Sequence, residues 1–162
     1  MEFKELFETG MSYGTFLSIA SESEIGKIRD ISKNIVLSEE NIKGLKGIDR
    51  DINILVSAES WCPYVRATLP VLYRISEINP KLKLGIITEG RGFMFLAEKL
   101  GISDDDYVIP TVAFLDGDYN LIDKYIGKPE KYKTIGFRNI SSDFFAGRRS
   151  DDIVEEILAK IK

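Results

Sequence analysis

A single thiol between two ring-bearing residues is the feature of this sequence that could do chemistry. Cys62 follows Trp61 and precedes Pro63 and Tyr64, and it is the only cysteine among 162 residues. A thiolate is a nucleophile that attacks disulfides, so Cys62 can form a mixed disulfide but cannot close one within the chain. Three positions later, where a second cysteine would resolve such an intermediate, the chain has Val65.

The composition excludes several other chemistries. There is no histidine, so Ser-His-Asp and Cys-His arrangements are impossible and no metal site is predicted. The net charge is −4, which gives no electrostatic reason to expect a nucleic acid as partner. The N-terminus lacks the apolar core of a signal peptide, and no apolar run approaches the roughly 20 residues that span a bilayer. We therefore expect a cytoplasmic protein with a free thiol and no membrane partner.

The elements that position Cys62 are predicted from hydrophobic periodicity and turn signals. The first 48 residues are typical of short helices, with Ser21 and Glu24 at the spacing of a capping box. The remaining predicted elements are strand 52–58, helix 63–78, strand 83–88, helix 91–101 closed by Gly101, strand 107–116, strand 121–127 and the amphipathic helix 150–162. The last two strands read as an antiparallel hairpin, and residues 128–150 as an insertion packed on the core.

This order predicts an α/β fold. Long crossovers between the first three strands favour parallel pairing at the start of the sheet, and the hairpin adds antiparallel pairing at its end. We expect one domain overall, in which residues 1–48 form a helical extension packed on a core of residues 49–162.

The predicted setting of Cys62 bears on its reactivity. Proline is favoured in the first turn of a helix, so Pro63 places Cys62 near the N-cap. Unpaired backbone N–H groups and the positive end of the helix dipole then face the sulfur and favour the thiolate. The alternative is a small buried cysteine that only packs.

A second signal is Pro110, which begins a strand where a missing N–H is costly. A cis Ile109–Pro110 bond would explain it, and a trans proline at the start of the strand is the alternative. In the cis case the N–H and C=O of Ile109 would be free to hold an extended substrate by strand addition.

In order and spacing these features resemble the thioredoxin superfamily over about Ile52 to Lys162. Trp61-Cys62 resembles the start of the thioredoxin active-site motif, and Pro70 resembles the proline that kinks the following helix. The Ile-Pro-Thr segment at 109–111 resembles the cis-proline loop, and Gly127 resembles a glycine that follows the terminal hairpin. The resemblance implies a thioredoxin-like three-layer α/β/α fold with a mixed sheet of four or five strands. The helical N-terminus is similar to a bacterial branch with such an extension. By this resemblance Cys62 is the catalytic residue, and the substrate-binding residues are Trp61, Pro63, Tyr64, Ile109, Pro110 and Thr111.

The departures from the family pattern concern function. The tetrapeptide Cys-Pro-Tyr-Val resembles the glutaredoxin motif Cys-Pro-Tyr-Cys without its second cysteine. Val56 falls where thioredoxins bury an acid that helps to move protons. The chain also lacks the double glycine with which glutaredoxins bind glutathione, so the scaffold is more similar to thioredoxin.

Three functions remain open at this point. The first is a monothiol thiol–disulfide oxidoreductase that acts on a protein or small-molecule disulfide. It would need no cofactor beyond an external low-molecular-weight thiol such as glutathione. The second is a non-catalytic protein-binding module on the same fold. The third is a one-cysteine peroxidase, which the sequence favours least because Glu59 stands where peroxiredoxins have threonine or serine.

Overall fold

One mixed sheet of four strands lies at the centre of the molecule. The computed structural model describes residues 1–162, and the strands are β1 (Ile52–Ser57), β2 (Leu82–Ile87), β3 (Thr111–Asp116) and β4 (Leu121–Ile126). Their spatial order is β2-β1-β3-β4. β1 pairs in parallel with β2, with Ile52 opposite Leu82, and antiparallel with β3, with Ser57 opposite Thr111. β3 and β4 form the antiparallel hairpin that the sequence predicts.

Nine α-helices surround the sheet. They are α1 (Phe3–Glu8), α2 (Tyr13–Ser18), α3 (Glu22–Lys33), α4 (Glu39–Lys46), α5 (Pro63–Ile78), α6 (Glu89–Arg91), α7 (Tyr132–Ile135), α8 (Ser141–Phe145) and α9 (Ser150–Ile161). The predicted capping box at the start of α3 is present, with Ser21 and Glu24 each bonded to the other's backbone N–H. The structure is therefore α/β with a mixed sheet. None of its helices combines the length and apolarity that crossing a bilayer requires.

The third strand differs from the prediction of parallel pairing among the first three strands. β3 lies beside β1 and runs antiparallel to it, so only β1 and β2 form a parallel pair. The reason is that the connection 88–110 begins and ends at the same edge of the sheet. It therefore lacks the return crossover that a parallel strand needs. The ends of β1 and β2 and the start of β3 meet at this edge, which is where Cys62 also lies.

The helix predicted over 91–101 is also different in the structure. The short α6 passes into a π-helical turn (Gly92–Leu96) and a 3₁₀ turn (Glu98–Leu100), and Gly101 ends the segment with φ +67°. Gly92 packs directly against Ser57, because a Cβ at this position would overlap the Ser57 side chain. The left-handed end at Gly101 agrees with the sequence prediction, whereas the regular helix does not.

The sheet divides the core into two clusters of buried side chains. Alternation along β1 sends Ile52, Ile54 and Val56 to the face covered by α5 and α9, and Leu55 to the opposite face. The first face belongs to a cluster of 29 buried residues and the second to a cluster of 7. The stripe predicted along α5 is buried on the larger face, namely Val65, Leu69, Leu72 and Ile75.

The N-terminal helices add side chains to both clusters. Leu6 of α1 belongs to the smaller cluster, whereas Phe16, Ile28 and Leu45 belong to the larger one. Between α1 and α2, Met11 forms an antiparallel bridge with Ile86 of the edge strand β2. Residues 1–48 thus share the core of the rest of the chain and cover an otherwise open sheet edge.

Candidate functional site

Cys62 is the N-cap residue of α5, and its backbone is extended with φ −84° and ψ 123°. Pro63 occupies the first helical position, where its missing N–H costs nothing. The Cys62 side chain accepts no capping hydrogen bond from the helix. The first-turn N–H groups of α5 therefore retain their positive potential beside the sulfur.

The segment before β3 forms the opposite side of this site. The Ile109–Pro110 peptide bond is cis. The Cys62 Sγ atom lies 3.7 Å from the carbonyl oxygen of Ile109, to which it is positioned to donate a weak hydrogen bond. The Ile109 N–H has no acceptor within the protein. Thr111 is buried, and its hydroxyl donates to the Val108 carbonyl at 2.6 Å, which fixes the turn.

Exposure differs sharply between the two residues at the head of α5. Cys62 retains 6% of its accessible surface, whereas the neighbouring Trp61 retains 54%. Cys62 belongs to the larger core cluster, and its contact with the Ile109 carbonyl is buried. Val65, one helical turn further on, is fully buried, so the site of a second thiol is filled by apolar packing.

A cavity of about 180 Å³ opens beside Ile109, which is below the roughly 300–1,000 Å³ of pockets that hold whole ligands. It is lined by Tyr64, Val108, Ile109, Gly127 and Lys128. The Gly127 N–H donates to the Pro110 carbonyl at 2.8 Å, so the end of β4 is joined to the turn that faces the thiol.

An aromatic cluster supports the Tyr64 side of this cavity. Its members are Tyr64, Tyr132, Phe137, Phe144 and Phe145, with ring centroids 5.0–6.1 Å apart. Four of the five come from residues 128–150, the stretch that the sequence predicts as an insertion packed on the core. This stretch therefore builds one side of the candidate site.

Polar contacts hold the loop that precedes Cys62. The Ser60 hydroxyl donates to Glu24 Oε2 at 2.6 Å, and the Glu89 N–H donates to Glu59 Oε1 at 3.0 Å. The bond from Ser60, reinforced by the Ser21 N–H, holds the pKa of the Glu24 carboxyl below its ordinary value. The Glu24 carboxylate thus connects α3 to the loop that precedes Cys62.

A second polar link lies on the other face of the sheet. The hydroxyls of Ser57 and Tyr107 share a short hydrogen bond, and Ser57 Oγ also donates to the Thr88 carbonyl at 3.2 Å. Burial raises the pKa of Tyr107 to about 12, opposed by the bond to Ser57. Val56, where the family resemblance expects an acid, is apolar and fully buried. The polar side chain at this end of β1 is therefore that of the next residue, Ser57.

The predicted site residues do not all converge. The structure brings Cys62, Tyr64, Ile109 and Pro110 together. Trp61 is exposed and lines no cavity. Pro63 lines a separate depression together with Arg66, Phe145 and residues of α3. No group of three or more Cys, Asp or Glu side chains is arranged to hold a metal ion. Sequence reasoning missed Lys128, whose only signal was its place directly after Gly127.

The mixed sheet, the helix that begins at Cys62 and the cis proline beside it define a protein of thioredoxin-like fold. A family model described as thioredoxin matches residues 10–141, and the chain belongs to that family. The match begins within the N-terminal helices, well before the region that carries the motif resemblance.

Two solved structures are similar to this chain over nearly its whole length. One is the 1.5 Å crystal structure of a protein of unknown function from Pseudomonas aeruginosa, with a TM-score of 0.93 and 25% identity, covering 99% of this chain and 97% of that one. The other is the crystal structure of an HIV epitope-scaffold, with a TM-score of 0.92 and 25% identity, covering 99% and 98%. A search among curated proteins gave no match.

Proposed function

We propose that this thioredoxin-family protein is a monothiol thiol–disulfide oxidoreductase with Cys62 as its nucleophile. The observation that carries the proposal is the position of the Cys62 Sγ atom. It lies at the N-terminus of α5 and 3.7 Å from the Ile109 carbonyl oxygen, beside a backbone N–H that has no acceptor. A thiol placed there has a positive potential on one side and free peptide groups for a substrate chain on the other.

The proposed reaction has two exchanges. The Cys62 thiolate attacks one sulfur of a substrate disulfide, a new S–S bond forms at Cys62, and the second substrate sulfur leaves as a thiolate. Because Val65 cannot act as a resolving group, an external low-molecular-weight thiolate then attacks the mixed disulfide. That attack returns the Cys62 thiolate and releases the substrate portion joined to the external thiol. A second external thiolate then attacks the released mixed disulfide, which frees the remaining substrate sulfur as a thiolate and leaves the two external thiols joined as a disulfide, so that two electrons have passed to the substrate.

The experiment is a disulfide-reduction assay with the full chain and an external thiol. Cys62→Ser is expected to bring the rate down to the uncatalysed background, because the serine hydroxyl cannot form the mixed disulfide. Ser76→Ala, which removes an exposed α5 hydroxyl bonded within its own helix, is the control and is expected to keep the wild-type rate. Mass spectrometry of protein mixed with substrate before the external thiol is added should show one substrate-derived thiol joined to Cys62 of the wild type. Unchanged turnover in Cys62→Ser would refute the proposal.

The alternative is a non-catalytic binding module, and one observation favours it. Cys62 is only 6% exposed, whereas Trp61 beside it is 54% exposed and free to contact a partner. The two functions differ in the reactivity of the sulfur. If the protein is an oxidoreductase, Cys62 should react with iodoacetamide at neutral pH faster than N-acetylcysteine does, because a catalytic nucleophile requires a reactive sulfur. Alkylation slower than this small thiol favours the binding module.

A further inference from the structure

We infer that Lys128 selects disulfides that carry a carboxylate, by pairing with that carboxylate in the small cavity lined by Ile109, whose carbonyl oxygen contacts the Cys62 sulfur. The inference rests on the proposed exchange reaction and names its substrate class, a low-molecular-weight thiol bearing a carboxylate. Three features of the structure support it: the anchoring of Lys128, the lack of a partner for its charge, and the electrostatics of the surface around it.

The backbone of Lys128 is fixed relative to the thiol. Gly127 turns the chain with φ +72°, a conformation that favours glycine, and its N–H donates to the Pro110 carbonyl at 2.8 Å. The Lys128 N–H donates in turn to the Ile126 carbonyl at 2.8 Å. Through Pro110 the lysine is thus tied to the same turn whose Ile109 carbonyl meets the sulfur.

The ammonium group is held in place without losing its charge. It lies 4.8 Å from the ring centroid of Phe137 and 5.4 Å from that of Tyr64, within the range of cation–π attraction. No carboxylate of the protein lies within ion-pair distance of it, whereas Lys131 and Lys160 nearby each pair with acidic residues. Aromatic faces orient a cation but do not neutralise it, so Lys128 remains available to an anion.

The surface around Lys128 adds to this positive potential. A larger cavity of about 440 Å³ shares Val108, Gly127 and Lys128 with the smaller one. It is also lined by Lys124 and Lys133, and by Asp106 and Glu130. Glu130 is paired with Lys160 at 3.4 Å and Asp106 accepts a bond from Ser103 at 2.8 Å, and neither carboxylate forms an ion pair with Lys128.

The larger cavity is lined by three lysines and two carboxylates, so its lining is net positive although the chain carries a net charge of −4. Field lines focused in such a depression raise the local concentration of anions. The smaller cavity, about 180 Å³, is below the usual size for a whole ligand and suits one carboxylate-bearing arm. A small anionic thiol therefore fits better than a bulky partner.

The first test measures binding without turnover. S-methylglutathione, which carries carboxylates but no reactive sulfur, should bind saturably to the wild-type protein in an NMR titration. Lys128→Gln should weaken this binding about tenfold, the loss expected for one charge-assisted hydrogen bond. Lys46→Gln, which removes an exposed lysine at the end of α4, should leave binding unchanged. The diethyl ester of the probe should bind the wild type as weakly as the free acid binds Lys128→Gln. An absence of binding to the wild type, or equal binding to Lys128→Gln, would overturn the inference.

The second test separates this inference from the proposed function. With glutathione disulfide as substrate, kcat/KM should fall about tenfold in Lys128→Gln, and with the neutral disulfide of 2-mercaptoethanol it should change less than about twofold. An equal fall for both substrates would overturn the selectivity. Binding that depends on Lys128 in a protein whose Cys62 shows no turnover would refute the oxidoreductase and leave the anion site standing.

Discussion

The two faces of the sheet are covered by different kinds of structure. On one face lie α5 and α9, with 16 and 12 residues, over a cluster of 29 buried residues. On the other lie the six-residue α1 and the π and 3₁₀ turns after β2, over a cluster of 7. The long helix α5 carries Cys62, whereas the loops that surround Cys62 at the sheet edge are attached to the second face through Ser57 and Tyr107.

This difference separates the two requirements of the site. A nucleophile at a helix N-terminus needs a rigid helix, and the large core supplies one. Loops that admit a substrate must be able to move, and segments with few buried contacts have the low local stability that permits such movement. The comparison predicts that equal truncations on the two faces have unequal costs.

The largest effect is expected from paired leucine truncations. Leu72 in α5 and Leu96 in the π turn are both fully buried. Leu72→Ala should lower the free energy of unfolding by about 4 kcal/mol and Leu96→Ala by about 2 kcal/mol. The reason is that a long helix cannot collapse into the space left behind, whereas a five-residue turn can move. Urea denaturation monitored by circular dichroism measures both values. A loss for Leu96→Ala as large as that for Leu72→Ala would contradict the comparison.

Two glycine substitutions test how closely the second face of the sheet is packed. Gly92→Ala should lower the free energy of unfolding by about 2 kcal/mol, since the added methyl overlaps the Ser57 and Tyr107 hydroxyls and the strand beneath cannot move freely. Gly90→Ala is the matched control. It lies two residues earlier, and a Cβ there meets no atom within 4 Å. The free energy of unfolding of Gly90→Ala should equal that of the wild type or exceed it by about 0.5 kcal/mol. If both variants behave alike, Gly92 is not a point of close packing.

The same contrast explains how much of the structure could be predicted from the sequence. The apolar residues of α5 and α9 recur at helical spacing because each helix has one buried side, so both helices and the place of Cys62 were predictable. The segment 91–101 shows similar spacing, but its geometry depends on Gly92 fitting against Ser57. That contact joins residues 35 positions apart and leaves no local signature.

Long-range placement also limits the prediction of the site. Cys62 and Ile109-Pro110 were singled out from the residues themselves, and the family resemblance then predicted that they lie together. Lys128 and Glu24 were not, because a lysine after a glycine and an acid in a capping box are ordinary in sequence. Their roles follow from which elements the fold sets beside the thiol, and only coordinates show that.

The smallest effect concerns the carboxylate that joins α3 to the Cys62 loop. Its hydrogen bond from Ser60, and then that from the Ser21 N–H, lower the pKa of Glu24 in the folded state. A depressed carboxyl pKa stabilises the fold above the unfolded value of about 4.3, and this contribution is lost as pH falls through the folded pKa. Glu24→Gln keeps the capping geometry but removes the charge. The urea midpoint of wild-type protein should therefore exceed that of Glu24→Gln at pH 7, and the gap should close as pH falls below the unfolded pKa and through the lower folded pKa of Glu24.

The control for this test is Glu22→Gln, which removes an exposed charge from the same first turn of α3. Both carboxylates interact with the helix dipole, so any difference between the two variants reflects the two hydrogen bonds that only Glu24 accepts, from the Ser60 hydroxyl and from the Ser21 N–H. The bond should also affect the thiol, because Ser60 lies two residues before Cys62. Loosening this loop in Glu24→Gln should raise the alkylation rate of Cys62 at pH 7, while Glu22→Gln should not. If the two variants change stability and alkylation equally, α3 only covers the core, and the loop before Cys62 is held by its backbone hydrogen bonds and by the bond from the Glu89 N–H to Glu59.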